Sequence, residues 1–69
     1  MTLEKQFGKN VRQWRKARNL SQEDLAARAE LHSTYVSGIE TGARNPTLRV
    51  VERIAAALDV EAAVLLANQ

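Results

Sequence analysis

Residues 20–42, LSQEDLAARAELHSTYVSGIETG, constrain this chain more than any other stretch. Ser21 stands where an N-cap belongs. Asp24, three residues on, completes a capping-box pair, with Asp in place of the usual Glu or Gln. Leu25, Ala26 and Ala29 then recur at helical spacing. Glu30, His32 and Ser33 interrupt the run, and Val36 and Ile39 resume it on an inward face. Gly42 supplies a C-terminal stop. Two helices of about eight residues are marginal in water by themselves. The pair must lean on neighbours, and it turns its second helix outward.

Those neighbours are legible on either side. The spacing of Phe7, Val11 and Trp14 predicts a first helix over about 3–18, with basic residues around the rest of its surface and Asn19 suited to a left-handed stop. The central pair spans about 22–29 and then 33 or 34 to 41. Gly42-Ala43-Arg44-Asn45-Pro46 is a loop by composition, because Pro46 biases Asn45 away from helical geometry. Thr47 caps a fourth helix with Leu48, Val51, Ile54, Ala55 and Leu58 on its core stripe. Asp59-Val60 breaks it, and a fifth, nearly all-apolar helix follows over about 61–66. The expectation is an all-α fold, a compact five-helix single domain over 1–69, with no repeat or linker.

The fifth helix has more apolar surface than one short stripe needs. Part should cover the chain's own core. The remainder, drawn from Val60, Val64 and Leu65 with Val50 and Ala57 of the fourth helix, is a candidate homodimer surface; complete internal burial is the alternative. A core in a chain this short rarely supplies more than roughly 3–5 kcal/mol, so association is expected. Cysteine is absent, which removes disulfides and thiolate zinc sites, and His32 alone makes no metal site; no cofactor is expected. No apolar run has the length of a membrane span and no signal-peptide pattern opens the chain, so a cytoplasmic protein without membrane contact is expected.

Net charge is only +2, but it is unevenly distributed. Lys5, Lys9, Arg12, Arg15, Lys16 and Arg18 face Glu4 alone in the first twenty residues. Glu23, Asp24, Glu30 and Glu40 outnumber Arg28 in the next twenty, and Arg44, Arg49 and Arg53 follow against Glu52. If the fold brings the first helix near the loop after Gly42, the result is a basic rim suited to phosphates; an ordinary mixed surface is the alternative. Catalysis is poorly supported. One His, no Cys and scattered carboxylates make no nucleophile–base pair, and the glycines at 8, 38 and 42 form no phosphate loop. A short helical chain also has little volume for a small-molecule pocket, so neither enzyme activity nor a small-molecule ligand is expected.

LSQEDLA, followed by YVSGIETGARNPTL and RIAAALDV, resembles the Cro/repressor-type helix-turn-helix family of phage repressors and bacterial regulators, over about residues 7–66. Within it, LHSTYVSGIETGARNP and the short length are similar to controller proteins of restriction–modification systems. The resemblance implies a five-helix lambda-repressor-like domain that binds double-stranded DNA, its third helix in the major groove and its second across the backbone. Gln22 would then hold a phosphate at the start of the second helix, its plainer role being an ordinary first-turn residue. His32, Ser33, Thr34, Ser37 and Gly38 fall where relatives touch base edges. Ser33 could instead cap the third helix, and His32 could be an ordinary surface histidine or a pH sensor.

Tyr35 would reach a thymine methyl or a phosphate, or lie flat on the helix. Gly38, unfavourable inside a helix, would permit close approach of the duplex or be simply tolerated. Arg44, Asn45 and Thr47 suit phosphate contacts, with Arg12 and Lys16 weaker candidates. Arg15 and Glu40 match a pair that forms a partly buried salt bridge between the first and third helices. Two departures stand out. Glu30 occupies a corner where many relatives have glycine at positive φ, and Ser33 replaces a longer Arg or Gln. The second leaves more of the base reading to Arg44 or to DNA shape. The function expected is sequence-specific transcriptional regulation by a homodimer on a pseudo-palindromic operator, with the narrower match pointing to a restriction–modification operon. The alternative is an antitoxin-like protein-interaction module of the same fold.

Overall fold

In the computed structural model, which describes residues 1–68, the helices are α1 (Leu3–Ala17), α2 (Gln22–Ala29), α3 (Ser33–Thr41), α4 (Leu48–Leu58) and α5 (Ala62–Leu66). No strand occurs among the described residues, and the last residue of the expected domain, 69, lies outside them. Side-chain caps account for three of the starts. Thr2 accepts from the Lys5 N–H at 3.2 Å and Thr47 from the Val50 N–H at 3.2 Å. Ser21 and Asp24 form a full capping box: the Asp24 N–H donates to Ser21 Oγ at 2.9 Å and the Ser21 N–H to Asp24 Oδ2 at 3.0 Å. Receiving that backbone hydrogen bond lowers the Asp24 pKa.

The first four helices stop at left-handed residues. Asn19, Glu30 and Asp59 have φ near 59°, 58° and 58°, and Gly42 has φ 82°. At the corner between α2 and α3, Glu30 takes the conformation that glycine takes without strain. There the Leu31 N–H closes on Ala26 O at 2.8 Å and Leu31 packs on the core. The glutamate therefore keeps the turn and carries its strain locally.

Phe7 and Val11 of α1, Leu25, Ala26 and Ala29 of α2, Val36 and Ile39 of α3, Val51, Ile54, Ala55 and Leu58 of α4, and Leu65 of α5 form one buried core with Leu20. α1 packs on α3 and α5, and α2 on α3 and α4. Two expectations need correction. Leu48 is 84% exposed, because it sits in the first turn of α4 and the core stripe begins one turn later, at Val51. Leu65 is 0% exposed and fills its own subunit's core, so it leaves the candidate dimer surface. Val50, Ala57, Val60 and Val64 are half-buried and keep some outward apolar area. Trp14 is half-buried too, with the Arg18 guanidinium 5.1 Å from its ring centroid.

Two polar and close-packing details tie the scaffold together. Buried Asn10 donates through Nδ2 to Leu65 O and Ala67 O, both at 2.8 Å, and so fastens the end of α5 to α1. Gly8 lies where α1 crosses α3. A Cβ there would collide with the Ile39 carbonyl oxygen and stand 2.8 Å from Glu40 O.

Candidate nucleic-acid interface

The corner at Glu30 sends α3 off with His32 as its extended N-cap residue and Ser33 as its first helical residue. Ser33 therefore does not cap the helix, and His32 makes no side-chain cap hydrogen bond. Val36, Ile39 and Glu40 face inward, which leaves Thr34 exposed and Ser33, Tyr35, Ser37 and Gly38 half-buried on the outward side. Gln22, Ser33, Thr34 and Ser37, together with Glu23, line an open hollow of about 280 Å³ between the start of α2 and the outer face of α3. Sequence reasoning missed Glu23. Its signal was its place in the first turn of α2, next to Gln22.

Tyr35, Gly38 and Arg44 form a second cluster. The Arg44 guanidinium carbon is 5.6 Å from the Tyr35 ring centroid, and the side chain runs across Gly38. Asn45 and Thr47 are exposed on the loop that follows, with the Thr47 hydroxyl accepting the α4 capping bond. The basic first helix approaches this end of α3 as well. A Cβ on Gly42 would lie 2.6 Å from Lys5 Cγ, so α1 and the loop after α3 are neighbours. Arg12 and Lys16 are exposed on α1.

The orientation of α3 is held from below. Arg15 Nε donates to Glu40 Oε2 at 2.6 Å and Arg15 Nη2 to Glu40 Oε1 at 3.1 Å, with the side chains 10% and 1% exposed. Arg15 Nη1 donates to Leu20 O at 2.9 Å. The hydrogen bonds to Glu40 push the Arg15 pKa above its usual value, so the guanidinium stays charged. Gln22 Nε2 donates to Glu40 Oε1 at 3.1 Å, which joins the start of α2 to the same carboxylate. One buried anion thus joins three segments: α1, the start of α2, and α3. No buried side-chain nitrogen or oxygen among the described residues lacks a hydrogen-bond partner. No group of three or more His, Cys, Asp or Glu residues among them could hold a metal ion. No helix among the described residues is long and apolar enough to cross a membrane.

Two short helices meeting at a left-handed corner, the second exposing short polar side chains, are a helix-turn-helix. The helix-turn-helix family model matches residues 11–65. The control protein C.BamHI of Bacillus amyloliquefaciens is 49% identical over 61 residues, 87% of this chain and 75% of the relative. The control protein C.SmaI of Serratia marcescens is 39% identical over 69 residues, 100% of this chain and 82% of the relative. Among solved structures, the restriction-modification controller protein C.AhdI of Aeromonas hydrophila has a TM-score of 0.88 at 42% identity, over 90% of this chain and 94% of that one. The chain belongs to the helix-turn-helix family of DNA-binding transcriptional regulators, and it is not an enzyme.

Proposed function

We propose that the protein is a controller of a restriction–modification operon, binding a pseudo-palindromic operator as a homodimer. The observation that carries the reading is the outward face of α3. Ser33, Thr34 and Ser37 open onto the hollow beside Gln22, while the Arg15–Glu40 bridge fixes the helix against the scaffold. Control proteins among the relatives support the operon, since three of them match 87% or more of this chain. Thr34, Ser33, Ser37 and His32 would meet base edges. Gln22, Arg44, Asn45 and Thr47 would meet phosphates or adjoining bases, with Tyr35 and Gly38 beside them. Val50, Ala57, Val60 and Val64 would form the two-fold contact, setting half-sites about 34 Å apart. Affinity would rest largely on phosphate contacts and fall steeply with salt. Double-stranded operator DNA as the ligand carries a cytoplasmic location with it.

The test is selection of random duplexes by the purified protein. A symmetric enriched site is expected, and Thr34→Ala with Tyr35→Ala should abolish the selectivity while helical circular dichroism is unchanged. Absence of any enriched sequence would overturn the reading. Unchanged selectivity in the double variant would remove α3 as the reading helix.

A further inference from the structure

α3 carries no positive charge. Its outward residues are Ser33, Thr34, Tyr35, Ser37 and Gly38, and its one carboxylate, Glu40, is buried against Arg15. A helix entering a DNA groove without a cationic side chain lacks the group that makes the commonest specific base contact and the strongest phosphate contact. The structure supplies that group from outside the helix. Arg44 lies on the loop, but its backbone is tied to α3: the Ala43 and Arg44 N–H groups donate to Gly38 O at 2.9 and 3.2 Å. Its side chain then runs back over the helix. A Cβ at position 38 would stand 2.6 Å from Arg44 Cγ and 3.3 Å from Nε, and the guanidinium ends 5.6 Å from the Tyr35 ring centroid. Tyr35 and Gly38 are three residues apart, hence on one face of α3.

We infer that Gly38 and Tyr35 form a seat that holds the Arg44 guanidinium on the reading face of α3. Gly38 is a positioning residue that acts on DNA through Arg44 and not by admitting the duplex itself. This rests on the reading above, in which α3 faces DNA. The missing side chain at 38 leaves the channel in which the aliphatic part of Arg44 lies. The ring of Tyr35 gives the planar guanidinium a surface to stack on, which limits its freedom before DNA arrives. A methyl at 38 meets only a flexible side chain, so it would displace Arg44 without disturbing the backbone, and alanine is the better helix former.

Two measurements decide it, one without DNA. In the free protein, stacking on Tyr35 should shift the Arg44 side-chain resonances through the ring current. In Gly38→Ala they should move toward unperturbed positions, with circular dichroism unchanged; shifts that stay put in Gly38→Ala would overturn the seat. On the selected duplex, Gly38→Ala and Arg44→Ala should each weaken binding on the order of tenfold, the share of one good arginine contact. The double variant should bind no more weakly than Arg44→Ala alone. Losses that multiply in the double variant would overturn the inference, because Gly38 would then act on the duplex directly. A wild-type protein that selects no duplex would instead overturn the reading of function, while the resonance shifts would still judge the seat.

Discussion

Arg15 of α1 sets its Nε 2.6 Å from Oε2 of Glu40 near the end of α3, and Glu40 also receives Nε2 of Gln22 at 3.1 Å. With the Glu40 side chain only 1% exposed, these donors stand in for the water that the buried carboxylate has lost. Arg15→Ala should therefore cost about 3 kcal/mol in urea unfolding, the lower end of what an orphaned buried charge costs, since Arg15 itself is at the edge of burial. Replacing both partners together, Arg15→Met with Glu40→Leu, should cost less than Arg15→Ala alone. A double variant no more stable than that single one would show that packing, and not the stranded charge, dominates at this site.

Gly8 makes the crossing of α1 over α3 possible. Gly8→Ala puts a methyl against backbone oxygens of Ile39 and Glu40, which cannot rotate away. The helices must separate, with a loss of about 1–3 kcal/mol despite the better helix propensity of alanine. Thermal melting of the variant measures it; an unchanged or raised midpoint would contradict so close a crossing.

Glu30 sits at φ 58° and ψ 46°, a left-handed conformation that costs a side-chain-bearing residue about 1–2 kcal/mol. Glu30→Gly relieves this but gives the unfolded chain more freedom, leaving a net gain of roughly 0.5–1 kcal/mol. Asp59→Gly should gain less, because aspartate enters this region more readily. Chemical denaturation of the two variants compares them directly.

Leu65 and Val64 are adjacent but do different things. Leu65 is fully buried, so Leu65→Ala should lose about 2–5 kcal/mol of stability. Val64 is half-buried on the outward side of α5, and Val64→Ser should leave the helical spectrum intact while weakening self-association in sedimentation equilibrium. Unaltered association would take Val64 out of the proposed contact.

Asp24 gives the fold an acid-sensitive element. Its pKa is lowered in the folded protein, first by the Ser21 backbone hydrogen bond, so the ionised form is favoured by folding. Its contribution is complete above the unfolded carboxylate value and fades as pH falls through the lower folded value. In Asp24→Asn that contribution is absent at every pH. The stability difference between wild type and Asp24→Asn should accordingly be constant near neutrality and shrink in acid, followed by urea unfolding at stepped pH.

The helices were legible because their signals are local. Ser21 with Asp24, Thr47, Asn19, Gly42 and the loop at Pro46 act within one turn of backbone, and the expected ranges for α2 and α4 agree with those found. The apolar periodicity likewise named most of the core, from Phe7 and Val11 to Leu58. It failed at Leu48, since periodicity gives the face of a helix but not where along its length the neighbours begin. It failed again at Leu65, because five apolar residues in a row have no pattern to say which one turns inward.

What the sequence by itself determined is therefore the set of helices, their caps and the outward position of Ser33, Thr34 and Ser37, all consequences of spacing along one strand of chain. What tertiary structure decided is how distant residues meet. Gly8 is just a weak helix residue until α3 lies across it, and Asn10 is a misplaced polar residue until the end of α5 reaches it. Gly38 is an unfavourable helix residue until the Arg44 side chain lies over it. Such partners are separated by six to more than fifty residues, and no local rule of backbone or side-chain preference carries that far.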